Sequence, residues 1–286
     1  MKNKILLLIP TFNEKHNISI IISKLKVLKI KFDILFIDDN SPDGTGKILD
    51  SIAKKNKRVY VIHRKKKYGI GTAHLEGINW AFKKSYSTLI TLDGDLTHSP
   101  KDISKFLKKV NKYDVVVGSR FLMKNSLKDW SLHRKLLTYL GHFVTNNFLK
   151  LPFDSTCGFR VYNLKRIRND LFLKIRSKSY SFFVESLFLL KINNYRISEV
   201  PIILPKRTYG SSKMKIMDIV KSVFLIAKLF FNRVLGHKDL FLKKKIHIKN
   251  NLIKKERYEW DEYWKEKTSL IKYVYNFIAF FYRTII

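Results

Sequence analysis

Leu89-Ile90-Thr91-Leu92-Asp93-Gly94-Asp95-Leu96-Thr97-His98-Ser99-Pro100 decides the fold of this chain. Its apolar start reads as a strand buried on both faces. The run ends in two carboxylates one residue apart. Strand alternation would send them to opposite faces. The glycine between them, past the strand end, lets the chain turn so that both converge on one ligand. Pro100 then opens a helix, a position where its missing N–H costs nothing. Two acids at the carboxyl end of a strand suit a hard divalent cation that also holds a phosphate.

Working outward, the same theme repeats. Residues 4–9 are an apolar run closed by Pro10, followed by Thr11-Phe12-Asn13-Glu14 and then Ile18, Ile21, Ile22, Leu25 and Leu28 at helical spacing. Residues 33–37 form a second apolar strand that ends in Asp38-Asp39 and the turn residues 40–44, with a helix expected over 45–55. A third strand is expected at 58–62, a helix at 71–84, and a helix at 100–110 after the opening motif. Val115-Val116-Val117-Gly118-Ser119-Arg120 completes a fifth strand. Strands alternating with helices predict a mostly parallel, Rossmann-like α/β sheet with flanking helices. Ligands of such sheets sit beyond the carboxyl ends of the strands, near a switch in strand order. Asn13/Glu14, Asp38/Asp39, Asp93/Asp95 and Arg120 all fall at such ends. One acid there is usually a helix cap or a turn former; four clusters need more than capping.

Beyond residue 120 the pattern loosens. A helix is expected over 129–148, a turn-rich segment over 153–160, helices at 164–174 and 182–192, and an extended piece at 196–204. Residues 215–235 read as a basic amphipathic helix with a wide apolar face, suited to a membrane interface or to covering a core. A basic linker and an aromatic, apolar tail follow. The expected organisation is therefore 1–213 as the main domain, 214–236 as the amphipathic helix, and 237–286 as linker and tail.

The net charge of +34 on 286 residues points to anionic partners: nucleic acid, phosphorylated substrates or an acidic membrane face. The abundance of Lys, Ile, Asn and Phe also fits a general compositional bias, so charge alone selects none of them. The single cysteine, Cys157, forbids an intrachain disulfide and fits a reducing compartment. Zinc-type Cys/His spacing is absent. No signal peptide is expected, and no apolar run approaches the roughly 18 residues of a spanning helix.

With these residues in hand the chain resembles the dolichyl-phosphate mannosyltransferases and related polyprenyl-phosphate glycosyltransferases of family 2. The resemblance runs through Ile9–Glu14, Ile37–Thr45, Gly69–Ala73, Asp93–Pro100, Gly118–Arg120, Trp130 with Arg134, Asp154–Arg160, Glu199–Ile202 and Arg207–Lys213. It implies a GT-A fold and a nucleotide-sugar donor. By position, Pro10, Phe12, Glu14, Ile37 and Asp39 would hold base and ribose. Asp93 and Asp95, with Gly94 between them and Thr97 after them, would bind Mg²⁺ or Mn²⁺ at the diphosphate. Arg120, Arg134, Arg207 and Lys213 would face donor or acceptor phosphate, with Asp95, Arg120 and Arg134 closest to the chemistry. The chain departs from the family pattern in Phe12 for a frequent Tyr, Thr97 for Gln, Gly94 for Ala and Thr138 for Ser. None of these removes a charge.

The activity so implied is inverting transfer of a hexose, mannose from GDP-mannose first, to a polyprenyl phosphate at the cytoplasmic face of a membrane. An acceptor phosphate is already anionic near pH 7 and needs cations rather than a base. Transfer to a glycan hydroxyl is the alternative. It requires a general base, for which Asp154 is the candidate. A nucleic-acid-binding role rests on charge alone, with no recognised module, and no nucleic-acid partner is expected. Cys157, His98 and His133 are expected to be structural. Glu185 is left between an acceptor contact and an arginine partner.

Overall fold

The computed structural model describes residues 4–205, 207, 209, 216–236 and 240–242. The first half builds as the alternation predicts: β1 (Ile5–Thr11), α1 (Lys15–Lys26), β2 (Asp33–Asp38), α2 (Thr45–Lys55), β3 (Val59–His63), α3 (Ile70–Lys83), β4 (Thr88–Thr91). A 3-10 turn at Pro100–Asp102 leads into α4 (Ile103–Val110), and β5 (Val115–Ser119) follows. Then come α5 (Leu132–Leu149), β6 (Arg160–Asn163), α6 (Asn169–Phe172), α7 (Ser181–Ile192), β7 (Ile197–Pro201) and α8 (Ile216–Leu235).

One sheet of seven strands runs β3-β2-β1-β4-β6-β5-β7. Strand order reverses between β1 and β4. Both neighbours of β1 pair with it in parallel, Pro10 beside Ile37 and Leu8 beside Thr91. The carboxyl ends of β1, β2 and β4 therefore open on one edge, at the switch point where α/β sheets receive ligands. β1 and β5 are buried along nearly their whole length. Such strands are apolar on both faces because helices cover both sides. The mostly parallel sheet with flanking helices is the fold class expected.

Two local expectations fail. Arg160–Asn163 falls between the turn-rich segment expected over 153–160 and the helix expected over 164–174, where no strand is expected, yet forms β6, antiparallel to both β4 and β5. Four residues offer two alternations, too few for periodicity to mark a strand. Its position is fixed instead by tertiary bonds: Thr91 Oγ1 donates to the Gly158 carbonyl at 2.6 Å and accepts from Arg160 N at 3.2 Å. The helix expected over 164–174 shrinks to the single turn of α6. Arg166 N and Ile167 N both bond back to the Asn163 carbonyl, which coils this stretch as a turn.

The helices differ in what they bury. In α7 every residue from Ser181 to Leu190 is buried. α8 packs on α5 and α7, with Leu229 meeting Leu149, Leu151, Val184 and Phe188. The other flanks of α5 and α8 face outward: Leu132, Leu136, Leu140 and Phe143 on α5, and Ile216, Val223, Phe224 and Phe231 on α8 are all exposed. Among the described residues no helix is long and apolar enough to cross a membrane. The linker and tail expected over 237–286 lie outside the described residues, apart from 240–242.

Candidate active site

The centre is the turn after β4. Asp93 N–H donates to His98 Nδ1 at 3.3 Å, so this ring nitrogen is an acceptor, and the Asp93 carboxylate lies 3.6 Å from it. Leu96 adopts φ +63°, which folds the turn back on itself. Asp95 Oδ1 then accepts from Thr97 N at 3.1 Å and Thr97 Oγ1 at 2.6 Å. Asp95 Oδ2 accepts from Arg207 Nε at 2.6 Å. Burial pushes the Asp95 carboxyl up. Arg207, the Thr97 hydroxyl and His98 outweigh that and hold it below the usual carboxylate range. Asp95 is therefore charged throughout the neutral range.

A Cβ at Gly158 would sit 3.0 Å from Asp93 Oδ1, so a larger residue there would push on this carboxylate. At Gly94 a Cβ would come within 3.3 Å of both the Pro10 carbonyl and Glu14 Cγ, which brings the end of β1 against the acidic turn. The donor set here is hard carboxylate oxygen. Two such groups plus phosphate and water oxygens match how Mg²⁺ is usually held. Among the described residues no group of three or more His, Cys, Asp or Glu forms a ready-made metal cage. The fit is to a cation that shares its shell with a diphosphate.

On the β1/β2 side the acids are already committed to shaping the loops. Asp39 accepts from Tyr68 N at 2.8 Å and Gly69 N at 3.0 Å, and pairs with Arg64 at 2.8 Å. Arg64 continues to Thr72 Oγ1 at 2.6 Å. Gly69 holds φ +100°, with the Lys178 carbonyl 2.6 Å from where a Cβ would be; no other residue fits this entry to α3. Asp38 accepts from Ser41 N and Ser41 Oγ, at 3.2 and 2.5 Å. Glu14 is buried and accepts from Asn17 Nδ2 at 2.6 Å. Ile37 is buried beside Pro10. The Phe12 ring lies under Lys67 Nζ, 3.9 Å from its centroid, a cation–π contact.

On the other side stand arginines. Arg134, in the first turn of α5, stacks 3.5 Å from the Trp130 ring centroid. Burial and then the charges of Arg207 and Arg120 weaken its guanidinium, while Asp95 supports it. The charges of Arg207, Arg120 and Asp95 thus all act on Arg134. Arg120 itself is buried. Its Nε and Nη2 donate to Asp154 at 2.7 and 2.5 Å, its backbone N adds 3.0 Å, and Nη2 also reaches Thr156 Oγ1. Burial alone would weaken the Arg120 charge; Asp154 more than restores it. Asp154 is held below the normal range by Arg120 despite complete burial. Of the residues expected at the site, Asp93, Gly94, Asp95, Thr97, Arg134 and Arg207 come together. Pro10 and Glu14 border them. Arg120 reaches them from inside its pair with Asp154, and Lys213 lies outside the described residues.

Other positions resolve. Asp154 takes three bonds from Arg120 and a longer one from Thr156 Oγ1, so its carboxylate is engaged in this buried pair. Glu185 accepts from Arg176 N and Ser177 N, at 3.1 and 2.8 Å, so it braces the loop before α7. Burial pushes the Cys157 thiol up to about 12, which makes it a packing residue.

Three positions are not singled out as site residues by the sequence. Arg64 anchors Asp39. Tyr180 is pushed up to about 12 by burial and by Asp93. Arg160, wholly buried, donates to the carbonyls of Cys157, Ser155 and Phe183 and to Ser186 Oγ. The Gly158-Phe159-Arg160 string marks Arg160 only as part of a motif; its acceptors are backbone atoms that no side-chain pattern reveals.

Comparison with known proteins follows the same lines. A family model described as glycosyl transferase family 2 matches residues 7–171. The chain is 32% identical over 226 residues to a polyprenol monophosphomannose synthase of Mycolicibacterium smegmatis, covering 78% of this chain and 85% of that protein. It is 34% identical over 212 residues to an undecaprenyl-phosphate mannosyltransferase of Micrococcus luteus, covering 74% and 87%. Among solved structures it superposes on glucosyl-3-phosphoglycerate synthase of Mycobacterium tuberculosis, in complex with Mn²⁺, UDP and phosphoglyceric acid. The TM-score is 0.54 at 14% identity, over 81% of this chain and 78% of that one. It also superposes on S. aureus TarS 1-349 in complex with UDP-GlcNAc, with a TM-score of 0.51 at 19% identity, over 80% and 67%. At these identities the two structures speak to the fold.

Proposed function

The chain belongs to glycosyl transferase family 2 and is a glycosyltransferase, and from that premise we propose that it moves a hexose from a nucleotide-sugar to a polyprenyl phosphate, inverting the anomeric centre. Mannose from GDP-mannose is the first donor to try, in keeping with the names of both relatives. The observation that carries the reading is the commitment of Asp154 to Arg120. The candidate base is locked in a buried pair while arginines face the acidic turn. Among the described residues, a centre whose one candidate base is already paired and whose other charges are cations suits an acceptor oxygen that is already ionised.

The residues divide the work as follows. Pro10, Phe12, Glu14, Ile37 and Asp39 border the edge where base and ribose would lie, Asp39 by fixing the loop from Arg64 to Gly69. Asp93, Asp95 and the Thr97 hydroxyl would hold the divalent cation, Mg²⁺ or Mn²⁺. Bound there, it would neutralise the charge that develops on the departing diphosphate. Arg134 and Arg207 offer planar donors to phosphate oxygens. Arg120 positions the 154–160 loop, and through it Gly158 and the space beside Asp93. Lys213 is proposed to add a phosphate contact.

The acceptor carries a long apolar chain, and its supply is a membrane. The outward apolar flanks of α5 and α8 suit contact with that surface, α5 bringing Arg134 to the reaction from its first turn. In this division residues 1–213 carry the chemistry, and 214–236 with 237–286 carry the membrane contact. The single buried thiol fits the reducing, cytoplasmic face. A thermal-shift panel of GDP- and UDP-sugars with Mn²⁺ tests the donor: GDP-mannose with Mn²⁺ should give the largest rise in unfolding temperature. A larger rise with a UDP-sugar would overturn the mannose assignment.

A further inference from the structure

We propose that Arg207 is a resident counter-cation for Asp95 that excludes a bare divalent ion, so that the metal enters only together with the diphosphate of its donor. The proposal depends on the assignment of Asp93 and Asp95 to a divalent cation made above.

Both oxygens of Asp95 are engaged. Thr97 supplies two donors to Oδ1, and Arg207 Nε closes on Oδ2 at 2.6 Å. The Arg207 and Asp95 side chains are only 19% and 10% exposed, so solvent and salt screen the pair little. A cation approaching Asp95 Oδ2 competes with this guanidinium for the same oxygen. The local charge count points the same way. Arg120 is cancelled by Asp154. Among the described residues the centre then holds Asp93 and Asp95 with Arg134 and Arg207, two negative charges and two positive. A bare divalent ion would leave the centre with two uncompensated positive charges in a half-buried space. The same ion arriving with a diphosphate does not, because the phosphates bring at least as much negative charge as the metal brings positive.

Arg207 also has somewhere to go. Its fork matches two phosphate oxygens as well as it matches a carboxylate. Releasing Asp95 to the metal while taking a phosphate exchanges one charge-assisted bond for another. Arg207 is in this sense a positioning residue: in the absence of donor it keeps Asp95 charged and aimed, and with donor present it moves to the leaving group. Binding of metal and binding of nucleotide are then linked, and the linkage is reciprocal.

The test uses the full chain and the electron paramagnetic resonance signal of free aqueous Mn²⁺, which is lost on binding and is independent of turnover. The wild type should bind Mn²⁺ weakly alone and roughly 5- to 150-fold tighter with GDP or UDP present, the usual range for such coupling. Arg207→Gln should bind Mn²⁺ alone about tenfold tighter than wild type, with the nucleotide enhancement reduced by a similar factor. Arg207→Lys, which keeps the charge, should stay close to wild type. Unchanged or weaker Mn²⁺ binding by Arg207→Gln overturns the proposal. Asp95→Asn separates this from the parent assignment. Loss of nucleotide-dependent Mn²⁺ binding in that variant keeps Asp95 as a ligand whatever Arg207→Gln does. Wild-type binding there removes the ligand assignment and the proposal with it.

Discussion

The two halves of the sheet edge solve opposite problems. On the β1/β2/β4 side acids cluster at the strand ends, the apolar residues are buried, and Asp38, Asp39 and Asp95 are held by backbone N–H groups, hydroxyls or an arginine. On the β5/β6/β7 side the groups turned toward the centre are arginines, and the helices beside them leave leucines and phenylalanines in water. The first side is preorganised for a soluble, highly charged donor. The second leaves exposed apolar surface of the kind that marks an interaction site, proposed above to meet the membrane. Hydrophobicity alone does not separate them: α7 and α8 are both strongly apolar, yet α7 is buried over ten consecutive residues while α8 buries only Leu229 and Val234.

The largest effect should come from the acidic side. Asp95→Asn should lower turnover by at least about 10²–10³-fold, the scale for losing one electrostatic contact to a transition state. Its unfolding temperature should move by only a few degrees. Near wild-type sugar transfer by this variant would falsify the metal role of the turn.

Next is the bolt between the halves. Arg160→Met leaves three carbonyls and the Ser186 hydroxyl without their donor. A loss of roughly 3–5 kcal/mol is expected in urea unfolding. A loss below about 1 kcal/mol would mean that the 153–160 segment is held by other contacts.

On the apolar side, Leu136→Glu with Phe224→Glu should leave stability within about 0.5 kcal/mol, since both residues are exposed. Co-sedimentation with anionic vesicles should fall about tenfold or more, given roughly 1.5–3 kcal/mol for each apolar side chain taken into lipid. Unchanged sedimentation would dissolve the contrast between the two sides.

The smallest effect is a pH slope. His74 is wholly buried against Phe182 and Phe183, neither ring nitrogen has a hydrogen-bond partner among the described residues, and burial, then Arg160, lowers it to about 3. Its unfolded value is about 6.5. Below that pH the unfolded chain binds a proton that the folded one refuses, so this contribution to stability falls as pH drops from about 6.5 toward 3, by at most about 1.4 kcal/mol per pH unit. His74→Leu should flatten the difference between urea midpoints at pH 7 and pH 5. An unaltered difference would place the slope elsewhere.

The same division governs what could be read from the chain itself. The donor side is local: an apolar run, then acids, then Gly or Pro at β2 and β4, and an apolar run, Pro and then an acid at β1, so these strands and their acidic ends follow from periodicity and turn chemistry. The other side is built by long-range bonds. β6 is four residues long and exists because β4 and β5 flank it. Arg120 reads as a strand-end cation, but its partner is 34 residues away, and only the fold turns it inward. Asp154 reads as a base until that pair is seen. Arg207 lies 112 residues from Asp95, with nothing between them in sequence to connect the two.

The central claim joins both sides: an acidic, cation-holding turn delivers a sugar to a phosphate on a lipid. Incubating the purified full-length protein with radiolabelled GDP-mannose, Mn²⁺ and either a polyprenyl phosphate or a soluble glycan tests it most directly. The account predicts label in the organic phase with the lipid phosphate, lost when Mn²⁺ is chelated. Label transferred only to the glycan, or lipid labelling indifferent to the cation, would contradict it.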